Sequence, residues 1–155
     1  MPRLSRPALA GALCALLLAG CGDPPGRTEA SAAAILREWD HRRAEAWATG
    51  SVADLGALYV PGSTTGAADV RMLRAWRARG MVVEDLTTQL LRVKVLARSA
   101  HRLRMSVTDR VVWAAAAGTR GATLRIALPR DQPSTYVIDL ASYDGVWLVR
   151  ETTAA

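Results

Sequence analysis

The chain has 155 residues, half of them apolar and 22% charged. That balance excludes an intrinsically disordered chain and a multi-domain enzyme, and it leaves room for one domain with its own core. The formal net charge is +6, but 19 of the 20 basic residues are Arg and Ala is abundant. Together these resemble the coding bias of a GC-rich bacterial genome, so the basic balance is not read as a sign of nucleic-acid binding. The only two cysteines fall within the first 21 residues, which excludes a disulfide framework and a cysteine zinc site.

The first 20 residues read as an address. Arg3 and Arg6 form a short positive region, followed by an apolar run from Ala8 to Ala19. That run is too short to span a bilayer and has the length of a signal-peptide core. It closes on Leu18-Ala19-Gly20-Cys21, which resembles the bacterial lipobox at all four positions. The resemblance implies cleavage before Cys21, lipidation of Cys21, and attachment to the cell membrane facing out of the cytoplasm. Two or more acyl chains give stable anchoring without a spanning helix. The segment 21–29 is expected to be a lipidated tether, since Gly and Pro punctuate it. A globular domain is expected over 30–152.

Helical signals come next. Thr28 or Ser31 is placed to start a helix running to about Thr49, with Gly50 closing it. Ser51 and Asp54 have capping-box spacing and open a short helix to Tyr59, broken by Pro61-Gly62. Thr65 precedes a third helix from about Gly66 to Arg79, with Gly80 beyond its end. The period then changes from 3.6 to 2. Leu91, Val93 and Val95 alternate with Arg92 and Lys94, and Leu103, Met105 and Val107 alternate with Arg104 and Ser106. Further strands are expected near 122–128, 134–142 and 146–151, with Asp144-Gly145 as a two-residue hairpin turn. A phase slip between Val83 and Leu91 predicts a bulge or sharp bend.

Helices first and antiparallel strands second make an α+β plan with the helices on one face of the sheet. Trp39-Asp40-His41-Arg42-Arg43-Ala44-Glu45-Ala46-Trp47 on the first helix and Leu58-Tyr59 after the second carry a resemblance. With this order of elements, the chain resembles the nuclear transport factor 2-like superfamily, which includes ketosteroid isomerase-like and polyketide cyclase-like proteins. That resemblance implies a cone in which three helices close one side of a strongly curved sheet. The catalytic patterns of the superfamily's enzymes are not present.

Two charges break apolar patterns. Positions 103, 105, 107, 109, 111 and 113 read Leu, Met, Val, Asp, Val, Trp, so Asp109 falls on the inward face of its strand. On the first helix Leu36, Trp39, Asp40, Arg43 and Trp47 share a face, so Arg43 interrupts a stripe in the same way. A buried carboxylate must be paired or protonated. The spacing therefore predicts an Arg43–Asp109 ion pair between helix and sheet. The alternative is a cavity acid or base at Asp109, with Asp40 and Tyr136 beside it, as the resemblance to ketosteroid isomerase-like folds implies. The third helix carries Arg71, Arg74, Arg77 and Arg79, either a solvated face or a contact for anionic headgroups. The loop 62–66 before it lacks the Lys of a phosphate-binding loop and reads as a capping turn. His41 and His101 lack metal-ligand spacing, and no motif calls for a metal or a cofactor.

Two functions remain. One is a membrane-anchored envelope lipoprotein whose domain binds a protein partner or a small apolar ligand without catalysis. The other is a small enzyme of the ketosteroid isomerase-like or polyketide cyclase-like type using a cavity Asp. A hollow cone lined by Asp109 and Tyr136 favours the second; a filled core holding an Arg43–Asp109 pair favours the first.

Overall fold

A computed structural model describes residues 25–119 and 124–155. The segment 18–21, where the lipobox resemblance falls, lies outside the described residues. The elements are α1 (Pro25–Thr49), α2 (Val52–Ala57), α3 (Thr64–Ala78), β1 (Met81–Arg98), β2 (Arg102–Gly118), β3 (Arg125–Ala127), β4 (Ser134–Tyr143) and β5 (Val146–Ala154). No helix among the described residues is long and apolar enough to cross a membrane.

Helix α1 starts at Pro25, ahead of the expected Thr28 or Ser31. Proline suits a first turn because its missing N–H has no partner to lose there. The expected tether 21–29 is therefore helical from Pro25 onward. Ser31 does not cap; its hydroxyl donates to the Thr28 carbonyl at 3.0 Å, inside the helix. The other end agrees with the reading, since Gly50 takes a φ of +66° just past Thr49. Ser51 caps α2 by accepting from the Asp54 N–H at 3.2 Å. The cap of α3 is Ser63, which accepts from the Gly66 N–H at 3.0 Å, and not Thr65.

The sheet is antiparallel in the order β1-β2-β4-β5, with β3 pairing β2 beyond the start of β4. Register shifts at Glu84/Thr87, Leu90/Arg92 and Val95/Ala97 bend β1, and Asp85 at the first of them takes a φ of +53°. This is the slip expected between Val83 and Leu91. Bulges of this kind raise local twist and curl a sheet. Asp144 and Gly145, with φ of +50° and +82°, make the tight turn between β4 and β5.

The three helices fill the concave face. Leu36, Leu55, Leu73, Leu103, Met105, Val107, Ile138, Leu140 and Val149 are fully buried, so helix and sheet share one core. Residues Leu58 to Val60 run beside β5, where the Val60 N–H reaches the Val149 carbonyl at 2.9 Å and the Val149 N–H reaches the Leu58 carbonyl at 3.0 Å. The indole N–H of Trp39 donates to the same Leu58 carbonyl at 3.1 Å. These bonds bring Trp39 and Tyr59 edge to face, 5.6 Å apart, at the wall of a cavity inside the cone.

Candidate functional site

The cavity has a volume of about 360 Å³ and is lined by two of the helices and the sheet. Trp39, Asp40 and Arg43 come from α1, Asp69 and Met72 from α3, Asp109 and Val111 from β2, and Tyr136 and Ile138 from β4. All four sequence-derived candidates, Asp109, Arg43, Asp40 and Tyr136, thus line one space.

Their pairing differs from the expectation. Arg43 does not pair with Asp109. Its guanidinium grips Asp69 in a fork, Nε to Oδ2 at 2.7 Å and Nη2 to Oδ1 at 2.8 Å. The Tyr59 hydroxyl donates to the same Oδ2 at 2.7 Å. Asp69 is 6% exposed and is satisfied on both oxygens. The physical reason is reach. α3, packed against α2, β1 and β5, holds its carboxylate within reach of the guanidinium, while Asp109 lies across the cavity on the sheet. Arg43 also lies between the rings of Trp39 and Trp47, 6.0 and 5.8 Å from their centres. Burial works against the Arg43 charge, but Asp69 more than restores it and holds the group protonated above the usual guanidinium range. Burial and the Asp69 charge push the Tyr59 hydroxyl up, so it stays a donor.

Asp109 accepts the Tyr136 hydroxyl at 2.6 Å. The register explains the meeting. Tyr136 sits opposite Val107, so it lies diagonally across from Asp109 on the same face. Burial raises the Asp109 carboxyl above the ordinary carboxylate range, against the opposing pull of the Tyr136 bond and the Arg43 charge. Burial also pushes Tyr136 far up, with the Asp109 bond and charge adding to it. Asp40 faces the same space, with Arg43 as its nearby cation. Burial pushes its carboxyl up to about 6, Arg43 opposes this, and the nearby Asp109 charge adds to it.

The result is a site rich in acceptors. Its one buried cation is held by Asp69, and both tyrosine hydroxyls already donate to carboxylates. Asp40 and Asp109 present free lone pairs beside the apolar surfaces of Trp39, Val111 and Ile138. Such an arrangement can receive a hydrogen-bond donor or take a proton near neutral pH.

Two other sequence features are placed elsewhere. The loop before α3 does not offer an anion site, because Glu151 of β5 occupies it: the Thr64 N–H and hydroxyl donate to Glu151 at 3.3 and 2.8 Å, and the Thr65 hydroxyl does so too. His41 and His101 are exposed, outside the cavity. Among the described residues no three of His, Cys, Asp and Glu are grouped to hold a metal. Asp69 is the cavity residue that sequence reasoning missed. Its signal was present: it is the only acid on an Arg-rich helix and shares a stripe with Leu73 and Trp76.

By sequence, no family model and no curated protein matches the chain. By structure it is similar to Aln2 from a Streptomyces species, with a TM-score of 0.52, 14% identity, and coverage of 79% of this chain and 88% of that one. It is similar to the intermembrane-space region of the chloroplast protein ARC6, with a TM-score of 0.52, 13% identity, and coverage of 81% and 95%. A protein of unknown function from Mycobacterium tuberculosis aligns with a TM-score of 0.53, 11% identity, and coverage of 85% and 75%. These likenesses concern the fold alone, an antiparallel curved sheet closed on one side by three helices, which is the architecture that the resemblance to nuclear transport factor 2-like proteins implied.

Proposed function

We propose that this cone is a small-molecule-binding domain held at the outer face of the cell membrane by lipid on Cys21. The observation that carries the binding reading is the cavity itself. A core that only had to be stable would fill this space with side chains. Instead it keeps about 360 Å³ between Trp39 and the sheet, with Asp40 and Asp109 turned toward it. The favoured ligand is compact, mostly apolar, and carries a donor such as a hydroxyl or a protonated amine. The anchoring reading is supported by Leu18-Ala19-Gly20-Cys21 at the end of a short apolar run.

The binding test is a panel of monocyclic and bicyclic amines and alcohols, followed by tryptophan fluorescence and thermal shift. A ligand that binds only the folded state raises the melting temperature with its concentration. Binding is expected for the wild type and expected to be lost in Val111→Trp, which puts a bulky ring at the cavity wall. If no compound separates the two proteins, the binding reading falls. The anchor is tested by Cys21→Ser, which is expected to leave an unprocessed or soluble exported chain. Membrane fractionation of that variant as a processed protein rules the anchor out.

A second reading is acid–base catalysis, and one observation favours it: the Asp40 carboxyl at about 6 stands close to neutral pH. In that reading one carboxylate takes a proton from carbon next to a ketone, and the protonated partner donates to the oxygen that gains charge. Deuterium exchange at the α-carbon of a cyclic enone, lost in Asp109→Asn while binding persists, supports catalysis. Binding without exchange leaves a pure receptor.

A further inference from the structure

We propose that the end of the cone built from the start of α1 and the two hairpin turns 99–102 and 143–146 rests on the headgroups of the bilayer, so that the cavity opens into water well above it. The proposal rests on lipidation at Cys21 and goes beyond it, because it states which face of the domain meets the membrane.

The three parts of this end are tied together. Arg98, at the end of β1, donates to the Thr28 carbonyl at 3.4 Å and to the Ser31 hydroxyl at 2.5 Å. The Ser142 N–H donates to the His101 carbonyl at 3.0 Å, which joins the two hairpin turns. Only Gly22, Asp23 and Pro24 stand between Cys21 and Pro25. At about 3.3–3.6 Å per residue, Cys21 lies within about 14 Å of the start of α1. The helix itself is 25 residues long, about 37 Å at 1.5 Å per residue. The lipid therefore holds this end against the membrane and leaves the far end of α1 out of reach.

The surface there suits a lipid–water boundary. Tyr143, Val146 and Leu96 are 51%, 47% and 46% exposed. Tyrosine favours that boundary because its ring is apolar and its hydroxyl is wet. Arg98 and Arg102 are exposed at this end, Arg98 bound to Thr28 and Ser31 and Arg102 to Asp139. Of the acids near this end, Asp139 is held by Arg102, while Glu29, Asp144 and, in the sequence beside Cys21, Asp23 remain. The cavity lies seven residues further along β2, at Asp109, about 20 Å higher at the rise of a strand. Its lining carries Asp40, Asp69, Asp109 and Asp131 against Arg43 and Arg110, a net negative set that anionic headgroups repel. The Arg-rich end of α3 also points away from the membrane, since Arg77 packs beside Gly50 at the far end of α1.

The test uses the full-length chain, processed in cells and reconstituted in vesicles of phosphatidylethanolamine and phosphatidylglycerol. Lipidation blocks Cys21 and cleavage removes Cys14, so one added thiol is the only site for a fluorescent label. Labels go on Ala100→Cys in the first hairpin turn, on Asp144→Cys in the second, and on Arg130→Cys near the cavity. A headgroup-attached nitroxide is expected to quench the first two at least threefold more than the third. Equal quenching at all three, or stronger quenching at Arg130→Cys, overturns the orientation while the anchor stands. A chain released from membranes by alkaline carbonate overturns the anchor and the orientation together. Two label sites at the proposed contact guard against one variant folding poorly.

Discussion

At the scale of single residues, the charges inside the cone divide into a closed set and an open one. Arg43, Asp69 and Tyr59 satisfy one another, with Asp69 almost completely buried. Removing one member of a buried pair leaves its partner stranded, at a cost of about 3–5 kcal/mol. Arg43 is a quarter exposed, so the lower figure applies. Asp69→Asn is expected to lower unfolding free energy by about 3 kcal/mol in denaturant titration. Arg43→Met is expected to do likewise, and the double variant to lose less than the sum. Asp109→Asn is expected to change stability by less than about 1 kcal/mol, because an amide oxygen still accepts the Tyr136 hydroxyl. A loss at Asp109 as large as at Asp69 contradicts this division. Asp40 adds a pH dependence. Its folded-state carboxyl is pushed from 3.8 up to about 6, so between those values the folded chain holds more protons than the unfolded one. Stability is therefore expected to fall as pH rises from about 4 to about 6. Asp40→Asn is expected to flatten that slope and to stabilise the protein at pH 7 by about 1–2 kcal/mol, a value reduced for water at the cavity. A wild-type curve that rises through this window contradicts the assignment.

At the scale of elements, α3 is the piece that converts local pattern into a site. Gly66 in its first turn lets it approach Tyr59 closely. A Cβ there meets the Tyr59 ring at 2.5 Å and its own Cβ at 2.6 Å. Gly66→Ala is expected to destabilise by about 1–3 kcal/mol and to displace the Tyr59 hydroxyl from Asp69. Gly145→Ala has open space around it but a φ of +82°, and its cost is expected near 1 kcal/mol. Equal melting of wild type and Gly66→Ala shows that the contact is not tight. Much at this scale was legible in sequence. Ser51, Gly50, Gly80 and Asp144-Gly145 act as punctuation because each meets a local backbone need that does not depend on the rest of the chain. The start of α1 was misjudged, because Pro25 and Gly26 carry turn signals that a helix tolerates in its first turn. The cap of α3 was misplaced by two residues, since Ser63 and Thr65 offer the same chemistry to the same helix end.

At the scale of the whole molecule, the sheet is uneven along its length. From Leu103 to Asp109, β2 is paired by β1 on one side and β4 on the other. From Ala115 to Ala117 its second neighbour is the three-residue β3. Amide exchange is expected to be slowest over Leu103, Met105 and Val107 and faster over Ala115–Ala117, by about tenfold or more for each 1.4 kcal/mol of difference in local opening. Uniform protection along β2 contradicts this gradient. The sequence by itself determined the order of elements, their change of period at Gly80, the phase slip in β1 and the α+β plan, because each depends on neighbours within a few positions. It also marked Asp40, Arg43, Asp109 and Tyr136 as charges or hydroxyls on inward faces. Only the tertiary structure decided which of them meet. Arg43 had two inward carboxylates available, Asp69 on α3 and Asp109 on β2, and no local rule ranks them. The packing of α3 against α2, β1 and β5 placed Asp69 within reach of the long Arg43 side chain. That left Asp109 to Tyr136 across the strand pair, and a cavity where the expected ion pair would have closed the cone.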